Sequence, residues 1–413
     1  MSSDSSEASE ASGAADFRQP LARVLANVAS RPVFGSRRDP DRVFDRLLAD
    51  AGRLGEFPGD DEFIDGFRPL LREWAAVPDM APFGWQQAQG HVRRHLTNRA
   101  QVEHLIAEIP AIEQEPIERP VFVVGLPRTA TTLTHSLLSL SEQHRSPLLW
   151  ELMTPGLAPT PKERRRAVLA ARRMERAINL LIPRFRDIHP IFAEGPEECT
   201  FALPHALQPL TQAHMPGYLD WHLGHDMRPD YRYLKRFYQV LQYGRPRRRW
   251  MFKSPMHLGQ LDALREVFPD ATLVWTHRDP VTVVASYCSL IETGMGVGLS
   301  RTDPHTIGQD WLRLLGETMA RALRARSAMP PDAIVDVPYS WLGTTPEVGA
   351  PKLYEAIGAH WTAAEAARLP EAAGRPRGAR RHTYDLARYG LNREAVEMAF
   401  ADYNALRAEV ERV

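Results

Sequence analysis

Four short apolar runs constrain this chain most: residues 120–125, 249–253, 271–276 and 332–337. Each is nearly continuous in apolar character instead of alternating, which is the pattern of strands buried on both faces. Each also lies near text with apolar residues at three- and four-residue spacing, the signature of helices. Strands covered on both faces need helices on both sides. The expectation is therefore an α/β fold, a three-layer parallel sheet flanked by helices.

The runs also organise the chain. Residues 1–17 are mostly Ser, Ala, Glu, Asp and Gly and read as a disordered tail, not a signal peptide. Residues 18–115 read as a helical N-terminal region packed on the core, and 116–413 as the sheet-bearing domain with a helical insertion at about 150–245. The insertion is expected to cap the active face. It holds an arginine-rich helix over 162–182 and an aromatic-dense stretch with Tyr218, Trp221, Tyr231, Tyr233, Phe237 and Tyr238. Those rings suit either helix core or the wall of an acceptor pocket.

Charge narrows the ligand search. Basic and acidic residues balance at 51 each, so no global field recruits nucleic acid or anionic membrane, and an anion site must be a local feature. No run approaches the roughly 18 continuous apolar residues of a membrane span. Two cysteines, Cys199 and Cys288, are too few for a disulfide framework or a cysteine-based zinc site, which suits a reducing cytoplasm. A homo-oligomeric assembly stays open. Lysine occurs only at 162, 235, 253 and 352, so each lysine kept in this arginine-rich chain invites a reason.

Three loops carry the chemistry. Residues 126–132, Leu-Pro-Arg-Thr-Ala-Thr-Thr, follow a strand and open a helix, so backbone N–H groups and the positive helix end face one point. Arg128 adds charge, Ala130 is small, and Thr129, Thr131 and Thr132 offer hydroxyls. This is a phosphate cradle without the Gly-Lys-Ser/Thr ending of a Walker loop. Residues 276–280, Thr-His-Arg-Asp-Pro, make Asp279 an N-cap and Pro280 a first helical residue, with Arg278 at the helix start and Ser286 about two turns on. Residues 253–257, Lys-Ser-Pro-Met-His, bring a cation and a near-neutral titrating ring to the same sheet edge.

Together these motifs, in this order, resemble the bacterial branch of the PAPS-dependent sulfotransferases, whose fold is P-loop-like. The resemblance implies a sulfotransferase that moves a sulfuryl group from 3′-phosphoadenosine-5′-phosphosulfate (PAPS) to an acceptor, most simply a hydroxyl, leaving 3′-phosphoadenosine 5′-phosphate. It implies that residues 128–132 bind the 5′-phosphosulfate, that Arg278 and Ser286 bind the 3′-phosphate, and that Tyr339 stacks on adenine. Arg380 and Arg381, in a C-terminal segment similar to the branch's basic closing loop, become further 3′-phosphate ligands. Where the family carries glycine, this chain has Ala130, so a positive φ there strains the loop.

The base is not settled by sequence. His257, four residues beyond Lys253, resembles the histidine of one part of the family; Glu151 and Glu198 resemble the glutamate of another. Metal-free in-line transfer is expected. A nucleotide-dependent kinase or NTPase would use the same cradle, but its only candidate metal-binding acid is the mid-strand Asp336. A nucleotide-binding protein without turnover is the non-enzyme alternative. The acceptor class, small molecule, lipid or glycan, is not encoded in any motif.

Overall fold

The computed structural model describes residues 21–55, 57, 61–183, 190–373 and 385–412. The tail at 1–17 and the pair Arg380 and Arg381 lie outside them. Five helices precede the first strand among the described residues: α1 (Leu21–Phe34), α2 (Pro40–Gly52), α3 (Asp61–Asp65), α4 (Phe67–Ala76) and α5 (Pro82–Glu108). Then follow β1 (Val121–Gly125), α6 (Thr131–Leu138), β2 (His144–Arg145), α7 (Leu149–Met153), α8 (Pro161–Leu181), α9 (Pro216–Gly224), α10 (Arg228–Gln242) and β3 (Arg249–Lys253). The chain continues through α11 (Leu261–Val267), β4 (Thr272–His277), α12 (Pro280–Gly298), α13 (Pro304–Ser327), β5 (Ile334–Pro338), α14 (Pro346–Ala356), α15 (Ala363–Ala373), α16 (Arg393–Ala399) and α17 (Ala401–Val410).

A recurring pair of residues starts several of these helices. Asp39–Pro40, Thr160–Pro161, Asp279–Pro280 and Asp303–Pro304 each place an oxygen acceptor at the N-cap and proline at the first helical position. The cap oxygen takes an otherwise unpartnered N–H, and proline has none to leave orphaned. Asp279, for example, accepts from Thr282 N at 3.1 Å.

The sheet is parallel throughout, with strand order β2-β3-β1-β4-β5. The four strands read from sequence are all present; β2, only two residues long, was not anticipated. Alternate side chains explain the continuous apolar runs. Phe122, Val124, Trp250, Phe252, Leu273 and Trp275 face one core, while Val121, Val123, Met251 and Val274 face the other. The first of these cores also takes in Phe44, Phe67, Trp74 and Trp85 of the N-terminal helices. Backbones meet closely there: a Cβ on Gly84 of α5 would lie 2.2 Å from the Gly298 carbonyl of α12.

The insertion's aromatics resolve as core. Tyr218, Tyr231, Tyr233, Phe237 and Tyr238 are all buried in the same cluster. The helix α12 is long and apolar enough to cross a membrane, but 56% of its apolar window is buried, and it packs on α5, α13 and α16. Because the chain runs from β1 out to β2 and β3 and then crosses to β4, the carboxyl ends of β3, β1 and β4 border a switch point. In open α/β sheets ligands bind at that edge.

Candidate functional site

The three loops singled out in the sequence, after β1, β3 and β4, leave the carboxyl edge of this sheet. Gly125 ends β1 at φ 141° beside Thr276, where a Cβ would lie 2.5 Å from the threonine hydroxyl. The chain then turns through Arg128 at φ 70° and Ala130 at φ 75°, ψ 20°, the N-cap of α6. Ala130 therefore holds the left-handed conformation that the glycine comparison raised as a strain. The two positive-φ residues flank Thr129 and turn it inward: its hydroxyl donates to the Leu126 carbonyl at 2.7 Å and meets Thr276 Oγ1 at 2.6 Å. Thr129 is 1% exposed, so it braces the loop from inside and does not present its hydroxyl as a ligand donor. Thr131 is also buried, and Thr132 is half-buried in the first turn of α6.

Arg128, Ser286, Arg278 and Tyr339 come together. Arg128 Nε donates to Ser286 Oγ at 3.1 Å, which joins the β1 loop to the second turn of α12. Arg278 Nη1 donates to the Arg128 carbonyl at 2.8 Å, and its guanidinium lies 4.2 Å from the Tyr339 ring centroid at the end of β5. Its backbone N–H donates to the Tyr403 hydroxyl at 3.2 Å, a contact with α17 that no sequence motif announced. Two guanidinium groups, a hydroxyl and an aromatic face thus border one loop and one helix N-terminus, a set suited to a phosphate-bearing aromatic ligand.

One strand over, Lys253 ends β3 in register with Val123. It is 1% exposed, and its ammonium donates to Glu198 Oε1 at 2.5 Å. Of the three base candidates, Glu198 alone is in this contact. Glu151 is buried elsewhere, bound by Arg145 at 3.0 Å and Arg245 at 3.2 Å, and its second oxygen accepts from Leu148 N at the start of α7. That is a capping and ion-pairing carboxylate.

His257 is not at the surface of the cleft. The 3-10 turn after Ser254 carries it down into the core, where it is 0% exposed, its Nδ1 lies 2.7 Å from the Tyr231 hydroxyl, and its ring packs edge-on to Phe122. Burial lowers its pKa to about 3, with Glu198 opposing weakly, so the ring is neutral. A ring of that pKa, walled from solvent, is a poor acceptor for a substrate proton. His135, on α6, is held to about 3 by burial and then by the Lys253 charge, and contacts the Met251 carbonyl at 3.0 Å.

An apolar hollow adjoins the cradle, lined by Leu126, Pro127, Pro255, Met256, Trp311 and Leu314 among others. Trp311 and Leu314 also line a neighbouring hollow, whose rim carries the His214–Asp310 contact at 2.5 Å. The mid-strand Asp336 is engaged structurally. Arg326 grips both its oxygens at 2.6 and 2.7 Å, and His277 Nε2 lies 2.8 Å from Oδ1.

Known proteins resemble this chain in sequence and in fold. A profile described as the Sulfotransferase family matches residues 120–363. The omega-hydroxy-beta-dihydromenaquinone-9 sulfotransferases Stf3 of Mycobacterium bovis and Mycobacterium tuberculosis are each 24% identical over 253 residues, 58% of this chain and 62% of theirs. The chain thus spans less than two thirds of the length of those curated relatives. Among solved structures, sulfotransferase STF9 from Mycobacterium avium superposes with a TM-score of 0.78 at 29% identity, covering 88% of this chain and 95% of that one. Sulfotransferase STF1 from Mycobacterium tuberculosis gives 0.74 at 28%, covering 87% and 98%.

Proposed function

The matched profile spans more than half of the chain, so the chain belongs to the sulfotransferase family, and from that premise we propose that it moves a sulfuryl group from PAPS to a hydroxyl on an apolar small molecule. The observation that carries this reading is the convergence of Arg128, Ser286 and Arg278 at one helix-start cradle, with the buried Lys253–Glu198 pair at the next strand end. When bound, PAPS supplies an activated sulfuryl group on a phosphate leaving group. Arg128 and the backbone N–H groups of residues 128–132 hold its 5′ end, Arg278 and Ser286 its 3′-phosphate, and Tyr339 its base.

Glu198 is our choice of general base. It takes the acceptor's hydroxyl proton as the oxygen bonds to sulfur, and the Lys253 ammonium meets the charge that develops on the departing phosphate oxygen. The balance is one alcohol converted to its sulfate ester, with 3′-phosphoadenosine 5′-phosphate and one proton as the other products. Protein cations suffice for this transfer, without metal. A kinase reading loses its one acidic candidate, because Asp336 is already gripped by Arg326. The apolar hollow beside Pro127 and Pro255 supports an apolar acceptor, as does the menaquinone derivative named for the Stf3 relatives. Both cysteines are buried free thiols, which supports a reducing compartment.

Calorimetry with 3′-phosphoadenosine 5′-phosphate and AMP tests the donor. The 3′-phosphorylated nucleotide should bind far more tightly, and Arg278→Ala should erase about 1.5–3 kcal/mol of that preference, the worth of a charged hydrogen bond. Equal affinities would remove PAPS. A PAPS-dependent sulfation screen of metabolite and lipid extracts with mass detection identifies the acceptor.

A further inference from the structure

A second group of titratable side chains meets between the N-terminal helices and the insertion. Asp230, in the first turn of α10, is 3% exposed. Its Oδ1 accepts from the backbone N–H of His205 at 3.2 Å and lies 2.8 Å from that residue's Nδ1, while Oδ2 lies 2.7 Å from His225 Nε2. One donor atom from each of His205, His225 and Asp230 falls within 4.8 Å of the others.

Proton accounting at His205 makes this more than a crowded corner. Its Nε2 lies 3.2 Å from the Phe63 carbonyl. A ring that donates Nε2–H to that carbonyl turns its Nδ1 lone pair towards the Asp230 oxygen, and a cation between the two satisfies both. A ring N–H donated to a backbone carbonyl is the outer contact that fixes metal-binding histidines, and the His225 ring is held flat against Trp221 at 4.5 Å. Two stretches of chain, one at His205 and one across residues 225–230, also aim ligand atoms at one point.

We propose that His205 Nδ1, His225 Nε2 and the Asp230 carboxylate bind one divalent transition-metal ion of the zinc class. Two imidazoles and a carboxylate suit a borderline cation. Tetrahedral legs of about 2.0–2.2 Å separate ligand atoms by about 3.3 Å, so the present contacts open by about half an ångström around the ion. The His225 side chain is 15% exposed, and the solvent on its side supplies a water as fourth ligand. The ion ties the segment before Gln208 to the α9–α10 turn and to α10, and, through Phe63, to α3. It takes no part in the transfer. Its link to the active face is positional: Tyr231, next to Asp230, holds His257 beneath the end of β3.

The test uses the full chain, purified without metal-affinity resin and stripped by chelator, with Co²⁺ and then Zn²⁺ as probes. Co²⁺ should bind at one equivalent with the visible absorption of a tetrahedral site, Zn²⁺ should bleach it, and Zn²⁺ should raise the melting temperature. His225→Gln, at a partly exposed position that tolerates the change, should lose both responses and keep the far-ultraviolet circular dichroism. His225→Cys should restore Co²⁺ binding with an added sulfur-to-cobalt charge-transfer band. If Co²⁺ gives no saturable signal in the unsubstituted protein, or His225→Gln binds as well, Asp230 only hydrogen-bonds the two histidines and the metal site is overturned.

Discussion

Glu198→Gln against His257→Phe separates the two bases that the sequence left open. Replacing the carboxylate by an amide removes proton acceptance, so kcat should fall by roughly 10²–10⁴. It also takes a charge away from Lys253. The lysine side chain is 2% exposed and that of Glu198 15%, so the loss lies below the roughly 3–5 kcal/mol seen when one partner of a fully buried pair is removed. The amide oxygen still accepts from the ammonium, which lowers it further, to about 1.5–3 kcal/mol by comparison with a single charged hydrogen bond. Folding should survive. His257→Phe has the opposite profile. It strands the Tyr231 hydroxyl, bonded at 2.7 Å, and should destabilise by about 1–3 kcal/mol while turnover stays within about tenfold. Because burial keeps His257 neutral down to about pH 3, the substitution should leave the pH–rate profile unmoved between pH 5 and 9. Single-turnover sulfation with mass detection gives the rate, nucleotide calorimetry gives the affinity, and urea titration gives the stability. Loss of turnover in His257→Phe with near-normal turnover in Glu198→Gln would refute the assignment.

Ala130→Gly should raise the urea midpoint without changing its slope. A non-glycine residue in the left-handed region costs about 1–2 kcal/mol, glycine's extra unfolded-state freedom takes back about 0.4–1, and a net gain near 0.5–1 kcal/mol remains; a lowered midpoint would mean the alanine is not strained. Acid should weaken the protein early, because burial holds His135, His222 and His257 at about 3. The unfolded chain binds protons at these rings below about pH 6.5 and the native one does not, so stability rises with pH across about 3–6.5, and at pH 5 each ring has removed about 2 kcal/mol. Equal urea midpoints at pH 7 and 5 would contradict that burial. The transfer rate should not respond to Mg²⁺ added over the millimolar range; a rate that requires it would favour phosphoryl-type chemistry.

What sequence could say follows the range of the interactions concerned. The strands were legible because burial on two faces writes itself as continuous apolar residues, and β2 was not, since His144–Arg145 is too short to carry a pattern. The cradle and the Asp279–Pro280 helix start are local in the chain, so their residues could be named. Orientation within a motif was harder. Thr129 looked like a ligand donor until positive φ on both sides turned it towards Leu126 and Thr276. His257 looks the same in a sequence whether its turn lifts it into the cleft or drops it beside Tyr231. Contacts between distant segments left no trace: Glu198 meets Lys253 from 55 residues away, and Arg278 meets Tyr403 from 125.

The Lys253–Glu198 pair gives the lysine bias of this chain a physical reason. A pair buried this deeply is weak evidence of stability, since removing two charges from water offsets much of their attraction. It is better evidence of a task. An ammonium is a compact charge with three donors, so it can keep one bond to a carboxylate while turning others to an arriving anion, which a planar guanidinium fork does less readily. The same contact keeps Glu198 aimed at the end of β3, where a base must stand to take a proton from a hydroxyl lined up with the cradle. Lys253→Arg therefore discriminates between charge and shape. It keeps the charge and the ion pair, and if shape matters it should lower kcat more than it weakens nucleotide binding. Equal losses in both would mean that Lys253 only holds the nucleotide, and that the leaving oxygen is neutralised from the Arg128 side.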